Sequence, residues 1–153
     1  MHRILTPQPL EKGPDLVALE QARARNVDFL NRYVGHSPGK LGLVLGVANK
    51  RSISWAIAQA ASNAGARIAL TYPSARLEEN VRELAATLEN PLVLPCDVTS
   101  DEQIAALAAA LDAEFGGLDF VVHGAAFAPA AELSNRFIQT SRDGFKMALD
   151  ISA

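Results

Sequence analysis

The sequence predicts an α/β fold in which helices cover both faces of a parallel sheet. From Lys40 onward, short apolar segments alternate with longer helical segments, and glycine, proline or asparagine separates many of them. This alternation is typical of parallel sheets, because two parallel strands need a crossover connection that a helix usually supplies. A chain of 153 residues is long enough for one domain with its own core.

The elements follow one another in strict alternation. Four short apolar runs are the predicted strands: residues 41–45, 67–72, 92–96 and 118–123. The segments between and after them are the predicted helices: residues 53–64, 76–88, 100 to about 115, and a last one that starts near 141. Right-handed crossovers then give a Rossmann-like, doubly wound sheet with strand order 3-2-1-4. Its ligand crevice is expected at the carboxyl ends of the strands, where the order reverses.

Local signals set the helix ends. Ser52 and Ser100 stand where N-cap residues are expected, and Gly65 lies just past the end of the first helix. Gln103 follows Ser100 by three residues, which fits a capping box. Asn90 and the following proline are expected to close the second helix.

Two domain assignments follow. Residues 1–36 are an N-terminal extension, rich in helix breakers at its start and expected to be partly helical or disordered, with a candidate helix from Pro14 to Tyr33. Residues 37–153 form the sheet domain. That domain is predicted to be truncated after the fourth strand and part of the next helix, because no glycine or proline closes the helix that begins near Ser141. The fourth strand would then be an exposed apolar edge, and the isolated chain is expected to be poorly soluble or oligomeric.

Composition excludes several classes of function. Hydrophobic residues make up 49% of the chain, charged residues 20%, and the net charge is -3. No basic stripe is present, so neither nucleic acid nor a membrane surface is an expected partner. No signal peptide or membrane-spanning run is evident. The single cysteine, Cys96, allows no internal disulfide and has no metal-ligand partners at useful spacing, which favours a reducing, cytoplasmic location and no metal.

The loop after the first strand is the first candidate binding segment. It reads Gly46-Val47-Ala48-Asn49-Lys50-Arg51-Ser52-Ile53. A glycine at the strand end lets the backbone approach a phosphate, and the free amides and dipole of the next helix favour the anion. The G-x-G-x-x-G fingerprint is absent. Taken by itself, the loop fits an ordinary strand-to-helix turn equally well.

The loops after the other strands give weaker signals. No acid follows the second strand to hold a ribose, while Arg76 is either a contact for a 2'-phosphate or a solvated arginine at the start of a helix, so NADH and NADPH both remain open. Asp97 can accept a hydrogen bond from an adenine amino group, or it can simply bond its own turn. His123 is more often structural at such a position, and Cys96 is more often a small buried apolar residue than a nucleophile.

One spacing is interpreted as coincidence. Tyr33 and Lys40 have the Tyr-x6-Lys spacing that some reductases use in catalysis. The pair precedes the first strand, and helix breakers lie between the two residues.

Five segments in order carry a family resemblance over about residues 40–153. They are Gly46-Val47-Ala48-Asn49-Lys50-Arg51-Ser52-Ile53, Thr71-Tyr72, Cys96-Asp97-Val98, His123 with Phe127-Ala128-Pro129, and Arg142-Asp143-Gly144-Phe145 followed by Asp150-Ile151-Ser152. Together they resemble the NAD(P)H-dependent enoyl-acyl-carrier-protein reductases, a branch of the short-chain dehydrogenase/reductase superfamily.

The resemblance implies roles for seven residues. Those on the cofactor are Gly46, Ser52 and Ile53 at the pyrophosphate, Asp97 and Val98 at the adenine, and Ala125 at the ribose side. Ala128 matches a position that lines the acyl-substrate pocket. The implied reaction of fatty-acid synthesis transfers hydride from NADH or NADPH to a trans-2-enoyl thioester on acyl-carrier protein, and a homotetramer is implied for the complete protein.

Departures from the family qualify this expectation. Pro73 stands where relatives often carry a polar or basic residue, and Gly124 replaces the serine that usually follows the histidine, so one hydroxyl contact is expected to be missing. The catalytic tyrosine and lysine of the family lie beyond Ala153, so no catalytic residue is assigned and the chain alone is expected to be inactive or nearly so. The alternatives are a non-catalytic dinucleotide-binding module, or another short-chain reductase that acts on ketones or alcohols.

Overall fold

The computed structural model describes residues 38–153, which contain a four-stranded, all-parallel sheet. Its strands are β1 (Leu41–Leu45), β2 (Arg67–Tyr72), β3 (Leu92–Pro95) and β4 (Phe120–His123). The spatial order is β3-β2-β1-β4, which confirms the predicted 3-2-1-4. The extension at residues 1–36, with the helix expected from Pro14 to Tyr33, lies outside the described residues.

Helices connect these strands. They are α1 (Ile53–Asn63), α2 (Ala75–Ala85), α3 (Asp101–Phe115), α4 (Ala130–Ser134) and α5 (Arg142–Ser152), with a 3-10 turn at Phe137–Gln139. Helices α1, α2, α3 and α5 stand where the sequence places them. The pattern missed α4 and the 3-10 turn, because elements of five and three residues are too short to show a helical period.

Helix α2 ends earlier than the sequence predicts. The amide of Leu88 donates to the carbonyl of Ala85 at 2.8 Å, and the hydroxyl of Thr87 donates to the carbonyl of Leu84 at 2.8 Å. These i to i-3 bonds tighten the chain into turns, so the helix stops at Ala85 although its apolar spacing continues.

Two apolar layers sandwich the sheet, as its predicted class requires. On one face Val44, Ile68 and Leu70 pack with Trp55 of α1 and Val81 of α2. On the other face the neighbouring strand positions pack against α3, through Leu43, Leu45, Ala69, Cys96, Leu107 and Leu111. Each large side chain buried here contributes about 1.5–3 kcal/mol relative to exposure. Burial on both faces explains why the strands are almost continuously apolar.

The predicted caps form in part. Ser100 accepts a hydrogen bond from the amide of Gln103 at 3.3 Å, as expected. The Gln103 side chain, however, accepts from the amide of Asp97 at 2.9 Å, so the bond fixes the loop after β3. Ser52 occupies the N-cap position of α1 but makes no capping bond, because its hydroxyl donates to the carbonyl of Asn49 at 2.7 Å.

An ion pair joins the amino ends of β1 and β4. The Nζ atom of Lys40 lies 2.6 Å from Oδ1 of Asp119, whose Oδ2 accepts from the amide of Leu41 at 2.9 Å. Both bonds depress the pKa of Asp119, the Lys40 bond most strongly. Lys40 therefore has a structural contact at the end of the sheet opposite the predicted crevice, while Tyr33 lies outside the described residues.

No helix within residues 38–153 is both long enough and apolar enough to cross a bilayer.

Strand β4 forms one edge of the sheet in the described part of the chain. Val121 in this strand is 57% exposed, and Phe145 and Leu149 of α5 are also exposed.

We expect the 153-residue chain to self-associate, because an exposed apolar edge strand is a template for pairing. Val121→Lys places a charge on that edge and should lower the mass measured by light scattering. Ala86→Lys adds the same charge at the exposed end of α2 and should leave the mass unchanged. A wild-type chain that stays monomeric at high concentration contradicts the prediction.

Candidate functional site

A cavity of about 390 Å³ opens at the carboxyl ends of the strands. The loops that follow β1, β3 and β4 form its walls, with contributions from β2, the start of α2 and the end of α5. This is the crevice position that the strand order predicts, because the chain moves from β1 through β2 to β3 on one side and then crosses to β4 on the other side of β1.

Gly46 brings the β1 loop against the β4 loop. Its φ is +83°, a conformation that side chains disfavour. A Cβ atom at this position would overlap the carbonyl group of Gly124 and the amide nitrogen of Ala125. The amide of Gly124 donates to the carbonyl of Leu45 at 3.2 Å, which extends the β1–β4 pairing by one bond past His123. The backbones of the two loops are thus in direct contact at the base of the cavity.

Gly124 is also confined by the start of α1. A Cβ atom there would overlap Oγ of Ser54, the second residue of α1. We expected Gly124 to leave a hydroxyl contact missing. The structure instead places the Ser54 hydroxyl of α1 in the space beside Gly124.

Asp97 is the acidic group of the cavity wall. Its Oδ1 accepts bonds from the amide of Thr99 at 3.0 Å and from the hydroxyl of Thr99 at 2.8 Å. The backbone bond and then the hydroxyl bond lower the pKa of Asp97, so the side chain is ionised at neutral pH. The bonds to its own turn are those expected of a turn aspartate, and since both end on Oδ1, they leave Oδ2 to accept from a ligand.

Cys96 precedes this aspartate and is 3% exposed. Burial, followed by the charge of Asp97, raises the pKa of the thiol, which holds it in its neutral form. The interpretation of Cys96 as a small buried apolar residue is confirmed.

The end of helix α5 forms part of the cavity wall. The Nε2 atom of His123 lies 3.1 Å from the carbonyl oxygen of Ile151, and the amide of Phe127 donates to Oγ of Ser152 at 3.1 Å. These contacts hold the end of α5 across the β4 loop and bring Ile151 to the cavity wall. His123 thus has the structural contact that its position favours.

The structure gathers four of the seven predicted site residues. Gly46, Asp97, Val98 and Ala125 all line the cavity. Ser52 and Ile53 stand instead at the start of α1, outside its lining, and the Ile53 side chain is 80% exposed.

Ala128 lines a neighbouring apolar cavity of about 510 Å³. Leu133 of α4 and Phe145 of α5 form part of its wall. Ala126 and Phe127 line both cavities, so the two spaces adjoin.

Several lining residues escaped the sequence reasoning. Thr71, Leu77 and Ile151 all face the cavity. Thr71 and Ile151 lie in the quoted family segments, which is the signal that could have found them, whereas Leu77 is an ordinary apolar position on α2. Pro73 also lines the cavity, but Arg76 is exposed on α2 and does not. Among residues 38–153, no group of three or more histidine, cysteine or acidic side chains is placed to hold a metal ion.

Comparison with known proteins decides the family. The model of the family "Enoyl-(Acyl carrier protein) reductase" matches residues 46–153. The chain belongs to this family. The predicted family relationship is therefore confirmed, and the match covers every residue that lines the cavity except Leu45.

The enoyl-acyl-carrier-protein reductase family supplies similar sequences. An NADH enoyl-acyl-carrier-protein reductase of Bacillus cereus is 52% identical over 117 residues, which are 75% of this chain and 46% of that protein. The corresponding enzyme of Aquifex aeolicus is 45% identical over 119 residues, which are 78% of this chain and 44% of that protein. The chain thus spans less than half the length of these curated relatives.

Solved structures agree. The Bacillus cereus reductase with NADP+ and an indole naphthyridinone superposes with a TM-score of 0.72 at 51% identity, covering 76% of this chain and 46% of that one. The Anaplasma phagocytophilum reductase in complex with NAD gives 0.71 at 41% identity, covering 74% and 44%.

We expect the pKa of Asp97 to respond to its neighbour. Thr99→Val removes the hydroxyl donor but keeps the backbone donor, so the pKa of Asp97 should rise part of the way back to the ordinary value of an aspartate. A carboxylate with a depressed pKa stabilises the fold above its unfolded-state pKa, and that stabilisation is lost as pH falls through its folded-state pKa. The variant should therefore lose acid stability at higher pH than the wild type.

NMR titration of the Asp97 carboxyl carbon measures this effect. Thr87→Val is the control, because it makes the same change at the end of α2 and should leave the pKa of Asp97 unaltered. An unchanged pKa in Thr99→Val contradicts the assignment of the bond.

Proposed function

We propose that this chain is the cofactor-binding half of an oxidoreductase that reduces trans-2-enoyl-acyl-carrier-protein to acyl-carrier-protein with NADH, in fatty-acid synthesis. Residues 37–153 act as the dinucleotide-binding domain, although incomplete. The observation that carries the proposal is the cavity at the strand ends, in a chain that belongs to this family. Its wall combines the ionised Asp97 with the glycine junction, which is the backbone contact between Gly46 and the Gly124–Ala125 peptide. The Bacillus cereus and Aquifex aeolicus relatives are both named as NADH enzymes.

Asp97 and Val98 hold the adenine in this proposal. An ionised carboxylate only accepts hydrogen bonds, so Asp97 selects the amino group of the base through Oδ2. The Val98 side chain gives the ring an apolar contact on the same wall.

Gly46, Ser52 and Ile53 surround the pyrophosphate. The backbone of Gly46 allows close approach because no side chain intervenes. The Ser52 side chain does not cap the first amides of α1, because its hydroxyl donates to the carbonyl of Asn49. Those amides and the positive end of the helix dipole favour an anion. Because Ser52 and Ile53 stand outside the cavity lining, the pyrophosphate lies at its rim.

Two alanines complete the assignment. Ala125 contacts the ribose side of the cofactor, where a larger side chain would enter the cavity. Ala128 lines the adjoining apolar cavity, which suits the acyl chain.

Charge favours NADH over NADPH. Among the described residues that line the cavity there is no lysine or arginine, so a 2'-phosphate would lack a counter-charge there. Arg76, the sequence candidate for that contact, points to solvent rather than forming part of the lining.

The bound dinucleotide would supply a hydride to the β-carbon of the enoyl thioester, and a proton must reach the α-carbon to complete the reduction. This chain's residues bind and orient the cofactor and exclude water along its apolar side. No residue of the chain is assigned to the proton transfer, because the resemblance places the catalytic tyrosine and lysine beyond Ala153.

NADH binding is the direct test. We expect the chain to bind NADH with enhanced nicotinamide fluorescence, and Gly46→Ala to abolish binding, because a methyl group at φ +83° is strained by about 1–3 kcal/mol and also overlaps the β4 loop. Gly39→Ala is the matched control, since Gly39 has φ +77° but no atom of residues 38–153 lies within 4 Å of the added carbon. It should lower thermal stability modestly and leave the NADH dissociation constant unchanged.

Wild-type protein that fails to bind NADH refutes the proposal. Equal binding by wild type and Gly46→Ala would show that the dinucleotide lies elsewhere.

Turnover tests whether this chain is catalytic by itself. With crotonyl thioester and NADH, we expect the 153-residue chain to give no oxidation above background, because it lacks the proton-transfer residues. Reduction at a normal enzymatic rate by this chain alone would show that the catalytic groups lie within it.

A further inference from the structure

Ser54 stands directly behind the wall of the cavity. It is the second residue of α1 and is 3% exposed, although it carries a hydroxyl. It does not line the cavity. Its neighbour on the cavity side is Gly124, which does.

Ser54 and Gly124 compete for one volume. A Cβ atom added to Gly124 would overlap Oγ of Ser54 and would lie 3.3 Å from its Cβ atom and 3.1 Å from the carbonyl oxygen of Leu45. The Leu45 oxygen and the Ser54 Cβ atom need only a small shift to admit the added carbon, whereas the Ser54 hydroxyl would overlap it outright. The hydroxyl is also the group that a substitution at Ser54 removes, and its position close to Gly124 is set by the start of α1.

The backbone of Gly46 confines the Gly124–Ala125 peptide as well. Gly46 is pressed against its carbonyl group and against the amide of Ala125. The Gly124–Ala125 peptide is therefore packed against the Gly46 backbone, and the Ser54 hydroxyl lies against Gly124 at the start of this peptide. The amide of Gly124 itself donates to the carbonyl of Leu45. A displacement of this peptide necessarily moves Ala125 in the cavity wall.

We propose that Ser54 is a positioning residue for the cofactor site. Its hydroxyl holds the Gly124–Ala125 peptide against Gly46, and it fills the space that a side-chain carbon at position 124 would need. Because α1 supplies the hydroxyl here, the β4 loop must carry glycine. This inference rests on the proposed function, because it takes the cavity to be the dinucleotide site.

A double-mutant cycle tests the shared volume. The NADH dissociation constant and the melting temperature are measured for wild type, Ser54→Ala, Gly124→Ser and the double variant. We expect Gly124→Ser to weaken NADH binding about tenfold or more, as an overpacked site does. Ser54→Ala should weaken it by less, about twofold to fivefold, because it removes a contact without creating an overlap. The double variant should return to within about threefold of wild type, because the hydroxyl is restored from the other side.

Ser62→Ala provides the matched control, since Ser62 lies on the same helix but near its other end. Combined with Gly124→Ser, it should bind NADH no better than Gly124→Ser alone. If Gly124→Ser does not fold, recovery of folded, NADH-binding protein in the Ser54→Ala/Gly124→Ser variant supports the proposal, and its absence overturns it.

Two outcomes overturn the inference: Gly124→Ser that binds NADH as well as wild type, or a double variant that is no better than Gly124→Ser. Failure of the proposed function is read separately, from wild-type protein that does not bind NADH. In that case the melting temperatures of the same proteins still decide whether Ser54 and Gly124 share a volume.

Discussion

The ends of β1 and β4 pack backbone against backbone, and the cavity depends on that contact. Gly46 makes it from one side, and the peptide of Gly124 makes it from the other. The contact turns the β4 loop along the cavity wall, where His123 and the amide of Phe127 then hold the end of α5. A side chain at Gly46 would push the β1 and β4 loops apart, and a side chain at Gly124 would overlap the Ser54 hydroxyl of α1.

The electrostatic character of the cavity follows from the loop after β3. Thr99 and Gln103 fix Asp97 through its carboxylate and its amide, and the hydrogen bonds from Thr99 keep it ionised. Burial keeps Cys96 neutral beside it. The described lining therefore presents one negative acceptor within an apolar wall. That combination suits a base with an amino group and disfavours an additional phosphate at this end.

The sequence predicts the parts of this account that depend on local pattern. Alternating strands and helices give the sheet order, and the strand ends locate Gly46 and Asp97 at the crevice. Contacts between distant segments are not accessible in this way. Gly124 was interpreted as a lost hydroxyl because nothing in the local sequence relates it to Ser54, 70 residues earlier. Similarly, Ser52 is correctly placed as an N-cap, but the carbonyl of Asn49 engages its hydroxyl.

Mapping NADH onto the backbone of the ¹⁵N-labelled chain tests the central claim most directly. If the glycine junction forms the dinucleotide site, saturable chemical-shift changes should concentrate at the amides of Gly46, Asp97 and Ala125. Changes centred instead on the apolar groove beside α3, at Ile104 and Leu118, would contradict that claim.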